Sequence, residues 1–332
     1  MDHPCLCPIV DFVAGAFVGA TPSPHTVQFV TVDKDVKLEV LDWGGTGRPL
    51  VLLAGLGNTA HVFDDFAPKL TNEYHVYGIT RRGFGASSAP APSGGNYSAD
   101  RLGNDVLAVL DSLKIERPLL AGHSIAGEEL SSLGTRHPER FAGLIYLEAA
   151  YAYAYEPPEG TASIDLQGLE EKLGRSPSKN VARLVRPEPT AADLASFAAF
   201  RSWQARVIGY AMPEAELRQI REATPEGRVG KERTEPNVAE AIVTGTQKYT
   251  DIRVPVLAIF ADPPNLGPFA NNSAFEAIAA ANTEASAKAL ETGLPYALVV
   301  RVARANHMIF LSNEADVLRE MRRFIAGLSL IH

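Results

Sequence analysis

Leu119-Leu120-Ala121-Gly122-His123-Ser124-Ile125-Ala126-Gly127 is an apolar run that ends in a glycine-flanked serine and passes at once into a helix-like segment. The run reads as a strand buried on both faces. The order strand, serine, helix places the hydroxyl on a sharp turn, with Oγ lifted clear of a sheet edge. Such a turn strains the serine backbone, and Gly122 and Ala126 are small enough to leave it room. A Gly-x-Ser-x-small pattern is common, so its weight depends on a histidine, an acid and an oxyanion site appearing in the right order and context.

The elements on either side have the required rhythm. Residues 27–32 and 36–41 alternate in polarity and predict a hairpin of two edge strands, and residues 42–48 form a glycine-rich turn. Residues 49–54, 76–79, 119–121, 144–147 and 255–260 are short apolar runs of the kind buried in a parallel sheet, with a further strand at 297–302. Helical spacing marks 98–113, with Leu102, Val106, Val109, Leu110 and Leu113 on one face, and also 125–137, 273–290 and 313–328. Strands alternating with helices predict an α/β fold, a parallel sheet covered on both faces. Residues 151–249 break the rhythm with Pro, Glu, Arg and Ala and with helical patches at 191–208 and 213–222. They predict a helical cap inserted between two halves of a core, 26–150 and 250–330, behind an N-terminal tail, 1–25.

With 332 residues, 46% hydrophobic and 21% charged, the chain has the composition of a globular protein. A net charge of -8, with no Lys/Arg cluster among aromatics, argues against a nucleic-acid partner. The only cysteines, Cys5 and Cys7, give no disulfide framework, and no Cys or His cluster elsewhere completes a metal ligand set. No stretch approaches the roughly 20 apolar residues that span a bilayer, so stable membrane insertion is not expected. Residues 9–20 end in Val18-Gly19-Ala20, like a site cleaved after small residues. However, Met1-Asp2-His3 carries no positive charge and Asp11 interrupts the run. The expectation is a cytoplasmic protein, with export through residues 9–20 as the alternative.

His307 lies on a loop between the last predicted strand and the last helix, where a general base reaches a hydroxyl presented by the central strand. His25 and His75 precede or enter strands, His137 ends a helix, and His123 reads as a packed neighbour of Ser124. An oxyanion hole requires two backbone N–H donors. Ile125, at a helix N-terminus, is one candidate; Leu56, between Gly55 and Gly57 in the loop after an early strand, is the other. Glu128 and Glu129 fall in the first helical turn, where carboxylates favour the positive helix end. Tyr151, Tyr153 and Tyr155 alternate, and either line a cleft or pack the insert on the core.

Four segments resemble the α/β-hydrolase superfamily: Ala54-Gly55-Leu56-Gly57, Arg82-Gly83-Phe84-Gly85-Ala86-Ser87, Gly122-His123-Ser124-Ile125-Ala126 and Asn306-His307. The resemblance runs from about residue 27 to 328. It departs from the family's usual His-Gly at Ala54-Gly55 and from the final elbow glycine at Ala126. It implies an eight-stranded, mostly parallel sheet with the cap after the sixth strand. The triad would be Ser124, His307 and an acid. Asp262, directly after the strand 256–261, is close to the superfamily's usual acid position, although the positions a few residues on are Pro263, Pro264 and Asn265. Glu148 follows the strand 144–147, where one group of haloalkane dehalogenases and the zearalenone lactonases carry a glutamate. It would otherwise be a carboxylate stranded at a buried strand end. Glu148 is preferred, with Asp262 the alternative.

The resemblance implies a serine hydrolase acting on a carboxylic ester or lactone, a small-molecule substrate, with no metal or organic cofactor. Cap residues such as Phe197, Phe200, Trp203 and Tyr210 would set substrate preference. The serine at 124 argues against the aspartate-nucleophile chemistry of the family's dehalogenases and epoxide hydrolases. C–C and amide hydrolases and cofactor-free haloperoxidases share the triad. A slow-turnover binding protein on the same fold is the alternative from another class.

Overall fold

Each central strand buries one side-chain row on each face of the sheet, which is why its sequence is continuously apolar. In a computed structural model, which describes residues 24–157, 187–233, 236–268 and 273–328, eight strands form one sheet. They are β1 (Thr26–Asp33), β2 (Val36–Gly44), β3 (Arg48–Leu53), β4 (Tyr74–Ile79), β5 (Leu119–His123), β6 (Gly143–Leu147), β9 (Val256–Ala261) and β10 (Leu298–Val302), with β7 and β8 apart in the insert. The order is β1-β2-β4-β3-β5-β6-β9-β10. The pairs β1–β2 and β2–β4 are antiparallel and all the others parallel. Leu50 and Leu52 face one apolar layer, closed by α7 (Ile309–Ser312) and α8 (Glu314–Leu328). Val51 and Leu53 face the other, closed by α1 (Ala99–Leu113), α2 (Ala126–Arg136) and α6 (Ser273–Gly293). The chain is a mostly parallel eight-stranded α/β protein, as the sequence predicts.

Two sequence expectations need correction. Of the first hairpin only β1 lies at an edge; β2 is flanked by β1 and β4. Glu39 in β2 is buried, accepting a hydrogen bond from Thr80 Oγ1 at 2.7 Å and facing His61 Nε2 at 3.3 Å. In the insert, α3 (Phe197–Ile208) and α4 (Glu214–Ile220) form as helices, but the predicted helix 213–222 stops at Ile220. There β7 (Arg221–Ala223) pairs antiparallel with β8 (Val229–Glu232) around Gly227, at φ 78°, before α5 (Pro236–Thr244). Cys5, Cys7, the segment 9–20 and insert residues 158–186 lie outside the described residues.

The strand order reverses at β3, so the loops leaving β3 and β5 flank a crevice at the carboxyl ends of the strands, where open α/β sheets bind ligands. Gly127 lets α2 pass close to the chain leaving β6: a Cβ there would lie 1.9 Å from Ala149 O. Gly127→Ala should therefore destabilise the protein by about 1–3 kcal/mol through overpacking, outweighing alanine's better helix propensity. Thermal unfolding of purified variant and parent checks this, and an unchanged or raised Tm contradicts it.

Candidate active site

Strand β5 ends at His123, and the next residue, Ser124, adopts φ 53° before α2 begins at Ala126. This left-handed conformation costs a non-glycine residue roughly 1–2 kcal/mol, held here by the packed sheet and helix on either side. Its N–H donates to Leu147 O at 3.2 Å. His307 lies on the loop after β10, with Nε2 3.0 Å from Ser124 Oγ and Nδ1 3.2 Å from Glu148 Oε2. The structure thus brings Ser124, His307 and Glu148 into one hydrogen-bonded line.

The sheet register accounts for the choice of carboxylate. His123 is paired with Leu147 across β5 and β6, so the next residues, Ser124 and Glu148, leave the sheet side by side. Glu148 is buried, at φ 52°, and Oε1 accepts the Ala261 N–H at 2.6 Å. The Tyr151 hydroxyl lies 2.9 Å from both carboxylate oxygens. Asp262, one strand further on, instead faces Arg301, whose Nε is 3.4 Å from Oδ2. The sequence spaces Tyr151 three residues after Glu148, and that was the available sign of its contact.

Leu56 and Ile125 lie on the two loops facing the crevice, and neither N–H joins the loop and cap hydrogen bonds of the described residues. Gly55 permits the close approach: a Cβ there would meet His123 Nδ1 at 2.7 Å and Ser124 Cβ at 3.2 Å. Two side chains that sequence reasoning missed fix this loop. Arg81, paired with the buried Glu129, donates through Nη2 to Ala54 O at 2.9 Å. Glu216, fully buried on α4 of the insert, accepts from Asn58 Nδ2 at 2.9 Å, Thr59 N at 3.0 Å and Thr59 Oγ1 at 2.5 Å. Burial pushes the Glu216 carboxyl up to about 7, and these donors oppose the shift.

His123 does more than pack. Its Nε2 donates to His307 O at 2.9 Å, and its ring lies against those of His307 and Phe310. Burial, with His307 beside it, pulls its pKa down to about 3, so it stays neutral next to the histidine that meets Ser124. Glu128 and Glu129 fall in the first turn of α2, as the sequence predicts, and both are buried. Glu128 has no hydrogen-bond partner among the described residues, and burial raises it to about 8, leaving it protonated at neutral pH.

A cavity of about 420 Å³ opens beside Ser124, Glu148 and His307. Tyr151, Ala152 and Tyr153 form one wall; Pro264, Asn265, Leu266, Ala279, Asn282, Thr283 and Asn306 form the rest. Tyr155 is buried in the core instead. The cap aromatics do not line this cavity. Phe197 and Phe200 pack with Leu217 and Val229 in the insert's own apolar cluster, and Trp203 stacks on Phe200 at 5.1 Å. An amphipathic cap helix turns its aromatic face to its own small core, whereas Asn282 and Thr283 sit in an alanine-rich helix with no motif to signal them.

A second polar cluster lies apart from this cavity. His25, His61 and Asp64, two of them not singled out by the sequence, converge near the start of β1. They form a group of three potential ligands where the sequence reading found no Cys or His cluster that completes a metal ligand set.

A doubly wound α/β sheet with a strained serine at its switch point defines the class. The sequence profile of the alpha/beta hydrolase fold matches residues 48–207. Fluoroacetate dehalogenase from Burkholderia sp is 35% identical over 112 residues, 33% of this chain and 37% of that protein. The 3-oxoadipate enol-lactonase 2 of Acinetobacter baylyi is 33% identical over 118 residues, 35% of this chain and 43% of that protein. These matches span less than half the length of each relative. The crystal structure of E-2-(acetamidomethylene)succinate hydrolase superposes with a TM-score of 0.61 at 15% identity, covering 91% of this chain and 99% of that one. The chain has the α/β-hydrolase fold. Among the described residues no helix is long and apolar enough to cross a membrane.

Proposed function

We propose that this protein hydrolyses an uncharged carboxylic ester or lactone through an acyl-enzyme. The observation that carries the reading is the line Ser124 Oγ, His307, Glu148 beside the cavity. Ser124 Oγ attacks the carbonyl carbon as His307 Nε2 takes its proton, and Glu148 holds the imidazole by Nδ1–H and faces the positive charge that forms. The N–H groups of Leu56 and Ile125 stabilise the tetrahedral oxyanion, aided at Ile125 by the start of α2. On collapse the C–O bond breaks and His307 returns the proton to the leaving alcohol oxygen. Water then attacks the acyl carbon with His307 again as base, releasing the acid and restoring Ser124. A lactone keeps its alcohol on the acyl chain and leaves as a hydroxy acid.

Substrate class follows from the cavity. Apart from Glu148 and His307, its described lining offers amides, hydroxyls and apolar groups, with no Lys or Arg to hold a carboxylate or phosphate. The enol-lactonase relative supports lactone cleavage, and Ser124 stands where an aspartate nucleophile would be needed for dehalogenation.

A panel of p-nitrophenyl esters of increasing chain length, neutral lactones and one ester bearing a free carboxylate tests the reading. Neutral members should turn over, the charged ester should be poor, and an organophosphonate should label the parent chain but not Ser124→Ala. Failure of every panel member together with no labelling would sink it.

A further inference from the structure

His25 lies just before β1, Glu39 and Trp43 on β2, and His61 and Asp64 on the helical turn that follows the oxyanion loop. Three separate stretches of chain thus meet in one buried place. The side chains of His25, Asp64 and His61 are 3%, 5% and 7% exposed. His25 Nδ1 is 2.7 Å from Asp64 Oδ1, and His61 Nδ1 is 3.4 Å from Asp64 Oδ2. One donor atom from each of the three lies within 4.8 Å of the other two. A tetrahedral divalent ion with bonds of about 2.0–2.1 Å separates its ligand atoms by roughly 3.3 Å, within that spread.

The surroundings have the form that supports metal-binding imidazoles and carboxylates. The other ring nitrogen of His61, Nε2, faces Glu39 Oε1 at 3.3 Å, and Glu39 Oε2 accepts from Thr80 Oγ1 at 2.7 Å. A carboxylate behind a histidine fixes its tautomer and raises its basicity as a ligand. Asp64 Oδ1 in turn accepts from Trp43 Nε1 at 3.0 Å. Two buried carboxylates with two imidazoles require two positive charges for neutrality; one divalent ion supplies both with the histidines neutral.

We propose that His25, His61 and Asp64 form a site for a divalent transition metal of the zinc class, with Glu39 as the carboxylate behind His61. None of these residues lines the cavity beside Ser124, so the ion would be structural. It would fasten the chain entering β1 to the turn directly after the oxyanion loop.

The test uses the full chain stripped with a chelator and then titrated with cobalt(II) or zinc(II). Cobalt should develop the visible d–d bands of a four-coordinate N/O site at one equivalent, and zinc at 100 times its Kd should raise Tm by about 4 °C. His25→Ala and Asp64→Asn should each lose both signals, while His75→Ala, which removes a histidine paired elsewhere with Asp42, should keep them. Because His25 precedes the first strand, His25→Ala decides the matter even where Asp64→Asn fails to fold. Absence of both signals in the parent chain would overturn the site, leaving a proton-filled ion-pair cluster. So would signals that persist in His25→Ala, or thiolate charge-transfer bands, which would point to Cys5 and Cys7.

Discussion

Glu148→Gln is expected to lower kcat by about 10⁴-fold with KM little changed, while Asp262→Asn stays within about threefold of the parent. The amide is nearly isosteric, so Ala261 N–H can still donate to its oxygen and the strand end keeps its shape. What changes is the group facing His307 Nδ1, now 3.2 Å from a carboxylate oxygen. The Tyr151 hydroxyl and the Ala261 N–H compete for the one remaining acceptor, and the amide NH2 turns toward the imidazole. An NH2 donor there selects the tautomer with Nδ1 unprotonated and Nε2 protonated, which cannot accept the Ser124 proton. Asp262 has no such role, because its carboxylate faces Arg301. Steady-state kinetics on the best ester of the panel decides between the carboxylates. A large loss in Asp262→Asn with near-normal turnover in Glu148→Gln would reverse the assignment.

The two acids were hard to separate in the sequence because each directly follows a buried strand, and β6 and β9 are neighbours in the sheet. Only the register distinguishes them, since pairing of His123 with Leu147 sets Glu148 beside Ser124. The strands were legible for a local reason: a strand covered on both faces is apolar at every position, as in Leu50-Val51-Leu52-Leu53. The elbow was legible too, because a strained turn demands small residues next to the serine. Burial of a polar group by a distant partner left no such mark. Glu39 is buried against Thr80 and His61, both distant in the chain, and Arg81 meets Glu129 across 48 positions of chain. The convergence of His25 on Asp64, and of Glu216 on Thr59, likewise depends on tertiary packing that no periodicity records.

Glu216→Ala is expected to lower kcat by about 10²-fold, near the loss of one oxyanion donor, although Glu216 touches no substrate. Its carboxylate gathers the Asn58 amide and the Thr59 N–H and hydroxyl, just beyond Leu56 and Gly57. Without it those donors are left unpaired in a buried place, and the loop shifts to find partners, misaligning the Leu56 N–H. Glu216→Gln keeps an acceptor but opposes one of the donors with its own NH2, so about a tenfold loss in kcat is expected, with KM nearly constant in both variants. A role confined to seating the insert would instead move Tm or KM and leave kcat unchanged. A pH readout separates the two further. Because burial raises this carboxyl from 4.5 to about 7, the folded chain binds the extra proton between those values while the unfolded chain has released it. Stability from this group is therefore fully present below pH 4.5 and is lost as pH rises toward and past 7. Glu216→Gln cannot lose it, so its Tm relative to the parent should climb between pH 5 and 7.5 while its kcat stays below the parent's throughout. A flat difference in Tm across that range would mean that the carboxyl ionises normally. An unchanged kcat would mean that the loop is held without it.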